Sequence, residues 1–232
     1  AFSVAVFSAA QAQTPQEIDP SQEVVFGSAT APYTVVIYFS PGCPGCLKLH
    51  QTTFDNLKNG YIDSGQVRVI MRAVPELFAR QGRLACDTEY QQGQRLSAQL
   101  GFDWLCAWNQ VGPDAALHAL NTQIALIEAM QPSVRIRWPY LAKENEQQFF
   151  KDMAKERAYA DRAFRQCIAP PLYDQFREAF RRNTSRLREQ SKGGTLSVPA
   201  VFLNDRRVVA TTSGAPPNVM RALQFAVGPP SK

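Results

Sequence analysis

Cys43 and Cys46 are the residues whose type and spacing most directly allow chemistry. They enclose Pro44-Gly45, and two thiols three positions apart at the start of a helix can close a small disulfide ring. The first of them points its sulfur at unpaired backbone N–H groups and at the positive end of the helix dipole. That favours thiolate over thiol, and cysteine reactivity follows thiolate content. Pro44 suits the first helical turn, because its missing N–H would have had no partner there. This geometry predicts Cys43 as the exposed nucleophile and Cys46 as the more buried resolving thiol. The same spacing also serves plain structural disulfides and half-sites for zinc. Zinc needs further ligands, however, and Cys86, Cys106 and Cys167 form no second C-x-x-C and have no nearby His.

The elements around the pair favour a redox role. Thr34-Val-Val-Ile-Tyr-Phe39 is a nearly continuous β-branched and aromatic run, as a strand buried on both faces would be, and Ser40-Pro41-Gly42 ends it. After Cys46, apolar Leu47, Phe54, Leu57 and Tyr61 recur at roughly helical spacing, and Val67–Met71 reads as a second strand. Strand, helix and strand make a βαβ unit. From Glu76 to Gln190 no strand persists; Leu117–Met130 and the series Leu172, Phe176, Phe180, Leu187 have helical spacing. Extended structure returns at Val198–Leu203, turns at Asn204-Asp205 and continues over Arg207–Ala210, before a short helix from Pro217 to Val227. A proline inside such a strand, as at Val198-Pro199, is unwelcome unless special. A cis bond there would turn otherwise buried backbone outward to meet a substrate. The chain thus reads as an α/β sandwich, 23–78 and 191–228, interrupted by an all-helical insertion, 79–190.

With 45% hydrophobic and 19% charged residues the chain can bury an ordinary core, and its net charge of +5 is mild. Lys and Arg concentrate in 151–192 with Asp and Glu interleaved. That is the pattern of a solvated helix face, so no nucleic-acid partner is expected. Ala1 to Ala10 is an apolar run too short to span a bilayer, and Ala10-Gln11-Ala12 has the A-x-A form that signal peptidase cuts. Residues 1–12 therefore read as a signal-peptide remnant, 13–22 as a flexible polar tail, and the rest as exported and soluble. In an oxidising compartment cysteine pairs persist, and five cysteines leave at least one unpaired within the chain. Trp104, Trp108 and Trp138 are expected in the core, and His50 as a satisfied surface histidine.

Tyr38-Phe-Ser-Pro-Gly-Cys43-Pro44-Gly45-Cys46, with Val198-Pro199-Ala-Val-Phe-Leu-Asn204 far downstream and helices between, closely resembles the DsbA-like branch of the thioredoxin superfamily. The resemblance implies a thioredoxin-like fold carrying the helical insertion, and a periplasmic dithiol oxidase or a related reductase or isomerase. It implies Cys43 as the attacking cysteine, Cys46 as its resolver and Pro199 as the cis proline facing them, with Val198, Pro44 and Gly45 meeting the substrate. The implied activity needs no cofactor or metal. Its partners would be reduced or misoxidised envelope proteins and a membrane redox partner of DsbB type, with the enzyme itself a monomer. Relatives with such insertions often staple them by a second disulfide, here Cys86–Cys167, with Cys86–Cys106 or no bridge as alternatives. Valine before the cis proline is the type associated with the oxidases, whereas isomerases more often have threonine and an N-terminal dimerisation domain, which 13–22 does not supply. Non-enzymatic alternatives are a thiol metal-binding protein or a chaperone. Two departures stand out: the dipeptide lacks the histidine of the strong oxidases, and Ile37, six positions before Cys43, stands where thioredoxin-like enzymes bury an acid. The Cys43 pKa is accordingly expected between about 3.5 and 7, and the potential between ~−120 and ~−270 mV.

Overall fold

Five strands form one sheet: β1 (Val24–Phe26), β2 (Tyr33–Phe39), β3 (Val67–Ala73), β4 (Ala200–Leu203) and β5 (Arg206–Val208), in the order β1-β3-β2-β4-β5. The computed structural model describes residues 23–40, 43–74, 103–109, 111–129, 148, 151–152, 155, 172–192, 196–208 and 218–230. β2 runs parallel to β3, with Ile37 opposite Met71, and antiparallel to β4, with Ile37 opposite Val201. The βαβ unit expected from the sequence is therefore present, and the strand beyond the insertion returns to the centre of the sheet. β1 adds itself antiparallel to the far side of β3. Three residues hold no periodicity to read, so the sequence does not reveal β1. Gly27 follows it at φ +91°, where a Cβ would lie 2.6 Å from the Val67 carbonyl oxygen, so this turn requires glycine.

Among the described residues four helices pack around the sheet: α1 (Pro44–Leu57), which runs on into a π-helical turn (Lys58–Ile62), α2 (Pro113–Ala129), α3 (Leu172–Gln190) and α4 (Val219–Ala226). A further helical stretch covers 103–109. No strand occurs among the described residues of 79–190, and none of the described helices is long and apolar enough to cross a membrane. The strand period of two divides β2 between two apolar clusters. Val35, Ile37 and Phe39 face one built with α1, α2 and α4; Val36 and Tyr38 face the other, with Ile70, Phe202 and Leu187 of α3. The β4–β5 hairpin turns on Asn204 and Asp205, both at positive φ (45° and 64°), the conformation of the tight turns that suit twisted strands. Asn204 also ties the hairpin to β2, its Oδ1 accepting from Thr34 N at 2.9 Å.

Candidate active site

Cys43 caps α1 with extended backbone (φ −88°, ψ 116°), and its carbonyl accepts the first helical bonds from Cys46 N at 3.0 Å and Leu47 N at 3.1 Å. The cap position follows from Pro44, which opens the helix and has no N–H to be satisfied. Cys43 is partly exposed, Cys46 is buried, and both are in the thiol form. A hydrogen bond from the Cys46 thiol, aided by the Cys46 and Gly45 backbone N–H groups, lowers the Cys43 pKa to about 7 against the opposing effect of burial. That is the upper edge of the expected range. With no histidine in the dipeptide, the helix terminus and the second thiol supply the stabilisation.

The chain returns to this thiol at Val198-Pro199, whose peptide bond is cis. The Cys43 thiol lies 3.5 Å from the Val198 carbonyl oxygen, to which it donates. A Cβ placed on Gly45 would sit 3.3 Å from Pro199 Cδ and 3.9 Å from Cys43 Sγ. Cys43, Gly45, Val198 and Pro199 therefore meet at one spot, although more than 150 residues separate the two segments. Glycine in the dipeptide leaves the space beside the sulfur open.

Beneath this spot Cys46 accepts from Ser40 N at 3.4 Å and lines a cavity of about 20 Å³ shared with Ile37, His50, Thr53, Phe54 and Leu120. Ile37 is thus under the redox helix, and among the described residues the cavity has no carboxylate in its wall. His50 is not the satisfied surface residue the sequence suggests. Its Nε2 bonds Asn121 Oδ1 across to α2 at 2.8 Å, its ring packs on Phe54, and its Nδ1 is buried with no hydrogen-bond partner. A signal for this existed: four positions after Cys46 on a helix is the same face. Asn121 had none, being 71 residues away.

Cys106 is buried in the 103–109 helix and is disulfide-bonded. Cys86 and Cys167, the residues of the expected bridge, lie outside the described residues. Trp104 is fully buried, edge-on to Phe39 at 4.8 Å, and Trp108 packs against the same cluster; Trp138 lies outside the described residues.

A second group of polar residues, unforeseen from the sequence, occupies the other sheet face. Glu23 Oε1 accepts from Arg72 Nε at 2.8 Å and from Arg186 of α3. Arg72 also donates to the Tyr38 hydroxyl at 2.8 Å, which donates to Gln190 Oε1 at 2.7 Å. Burial chiefly raises the Tyr38 pKa, against the lowering effect of Arg72. Arg186 belongs to the basic stretch read as a solvated face. Arg181, Arg182 and Arg188 of that stretch are exposed, while Arg186 turns inward to Glu23.

A thioredoxin family model matches residues 20–92. A curated protein of Rickettsia prowazekii, named as a protein-disulfide oxidoreductase, is 42% identical over 50 residues, 22% of this chain and 18% of its own length. One from Rickettsia bellii, of the same name, is 40% identical over 50 residues, 22% of this chain and 19% of its own. The chain thus spans under a fifth of the length of the curated relatives it matches. Among solved structures, the thiol-disulfide oxidoreductase MdbA of Corynebacterium matruchotii superposes with a TM-score of 0.58 at 18% identity, covering 85% of this chain and 87% of its own. Chlamydia trachomatis DsbA gives 0.56 at 13% identity, covering 94% and 97%. Residues 20–92 thus match the thioredoxin model in sequence, and over most of its length the chain shares the thioredoxin-like fold of these two structures.

Proposed function

We propose that this chain is an exported thiol–disulfide oxidoreductase that introduces or exchanges disulfides in envelope proteins. The observation that carries the reading is the asymmetry of the pair: a partly exposed Cys43 with its pKa lowered to about 7, facing Val198-Pro199, above a buried Cys46. A substrate thiolate attacks Cys43 Sγ of the oxidised Cys43–Cys46 bond, that bond breaks, and Cys46 leaves as a thiolate and takes up a proton. A second substrate thiolate attacks the substrate sulfur of the mixed disulfide and releases Cys43. The substrate loses two electrons and the Cys43–Cys46 pair gains them; a membrane partner of DsbB type then reoxidises the pair. Pro199, Val198, Pro44 and Gly45 form the surface the substrate backbone meets, and the enzyme works as a monomer in the periplasm.

Trapping tests this reading. Cys46→Ser incubated with scrambled, disulfide-bearing substrate protein should accumulate mixed disulfides through Cys43, visible on a non-reducing gel, whereas Cys43→Ser should accumulate few. Equal trapping by both variants would overturn the assignment of attacking and resolving thiol. A potential for the pair between ~−120 and ~−270 mV fits an oxidase or exchanger, and one below that range would point to a reductase.

A further inference from the structure

Resolution of a mixed disulfide on Cys43 from within the chain needs the Cys46 thiolate, so the buried Cys46 thiol must first lose its proton. In the family the sequence resembles, an acid stands at the position of Ile37, which itself has no titratable group. Among the described residues, one other titratable side chain reaches the cavity that Ile37 and Cys46 share, and it is His50. An amide oxygen only accepts hydrogen bonds, so the bond to Asn121 Oδ1 puts the imidazole proton on Nε2 and leaves Nδ1 a bare acceptor. That acceptor is buried and has no partner. It is an unsatisfied base one helical turn from the thiol, in a cavity with room for about one water.

We propose that His50 Nδ1 takes the proton of the Cys46 thiol, standing in for the acid absent at Ile37. The inference rests on the exchange reading above and adds the group that moves the proton. When a disulfide-bearing partner has joined Cys43, the Cys46 proton passes to Nδ1, straight across or over one water. The Cys46 thiolate attacks Cys43 Sγ, the Cys43–partner bond breaks, and the partner leaves as a thiolate that takes its proton from solvent or from the imidazolium. The Cys43–Cys46 pair is oxidised and the partner reduced by the same two electrons. In the reverse direction the imidazolium protonates the departing Cys46. The groups facing His50 suit this role. On its own helix Asp55 favours the imidazolium; α2 presents the neutral Asn121 and apolar Leu120, and the sheet presents Ile37, Phe39 and Met71. Burial outweighs Asp55 and Asn121 and holds the imidazole below its ordinary value, so near neutral pH it is ready to accept.

The lifetime of the Cys43–glutathione mixed disulfide tests the proposal. Reduced protein is mixed with excess oxidised glutathione from about pH 5 to about pH 9.5, quenched with acid at intervals and weighed by mass spectrometry. His50→Gln should lengthen that lifetime by about 100-fold near neutral pH, the low end for a positioned base. It should converge with the parent as pH passes the unaided ionisation of a thiol, about 8.5 or above. Asn121→Asp, which places a carboxylate at Nε2–H, should move the parent's pH midpoint upward. Equal lifetimes in parent and His50→Gln, a constant factor at every pH, or an unmoved midpoint in Asn121→Asp would overturn the role of His50 and leave the exchange reading intact. A parent that forms no mixed disulfide at all would overturn both.

Discussion

The two faces of the central sheet handle polarity in opposite ways. Towards α1 and α2, β2 presents Val35, Ile37 and Phe39, and a small cavity there is lined by a thiol and an imidazole. Towards α3, β2 and β3 present Tyr38 and Arg72, which with Glu23 and Arg186 form a buried charged network. Ion pairs in the interior repay their desolvation only when geometry and further hydrogen bonds are good. On the second face they fasten α3, and so the end of the insertion, onto the strands, with Asn183 adding a bond to the Ala73 carbonyl at 3.0 Å. On the first face a charge would sit beside the reacting sulfurs and alter which of them ionises. Keeping fixed charge off the α1 side leaves Cys43 governed by the helix terminus and its neighbouring thiol.

The strongest way to break the contrast is Arg72→Met. It leaves Glu23 buried with only the half-exposed Arg186, and should cost about 3–5 kcal/mol in urea unfolding. The Cys43 pKa should stay where it is, since the network lies across the sheet. An unchanged unfolding midpoint would mean that the network does not hold the fold.

Ile37→Glu makes the first face resemble the second. An ionised carboxylate without a partner is costly to bury and raises its own pKa, so thermal unfolding should show a loss of about 2–5 kcal/mol. Stopped-flow measurement of mixed-disulfide resolution should show a faster step above the new group's raised pKa. A variant as stable as its parent and no faster would show that position 37 does not reach Cys46.

The pH dependence of the reduced protein sharpens the same point with a smaller effect. Cys43 is held at about 7, below its ordinary value of 9.0. A depressed folded pKa gives stability that is complete above the unfolded value and is lost as pH falls through the folded one. Reduced parent should therefore gain on reduced Cys43→Ser, by of order 2 kcal/mol, between about pH 7 and about pH 9. Parallel curves across that window would remove the thiolate from the account of Cys43.

The smallest expected change is Gly45→His. The space beside Pro199 admits a Cβ at 3.3 Å with slight adjustment. An imidazolium next to Cys43 should lower its pKa further, read as thiolate absorbance appearing at lower pH. An unmoved titration would show that this position does not face the sulfur.

Much of the site was legible in the sequence because it is local. Cys43, Pro44, Gly45 and Cys46 announce a helix start and a reactive thiol by themselves, since the cap, the dipole and the missing proline N–H are all set within one turn. The apolar run of β2, the Asn204-Asp205 turn and the proline after Val198 are likewise decided by neighbouring residues. Tertiary structure decided what depends on distant partners. The family resemblance marks Ile37 as a missing acid, but the sequence cannot say that His50 shares its cavity, because that depends on how α1 leans on α2 and on Asn121 bonding the ring. Nor can it say that Glu23, Arg72, Tyr38 and Arg186 converge, since their charges look like ordinary surface charges until the sheet and α3 close over them. The state of Cys106 is the same case: spacing counts the cysteines, and only the fold shows this one to be buried and disulfide-bonded. Local chemistry is written in spacing, whereas desolvation and pairing are set by what the rest of the chain places on top.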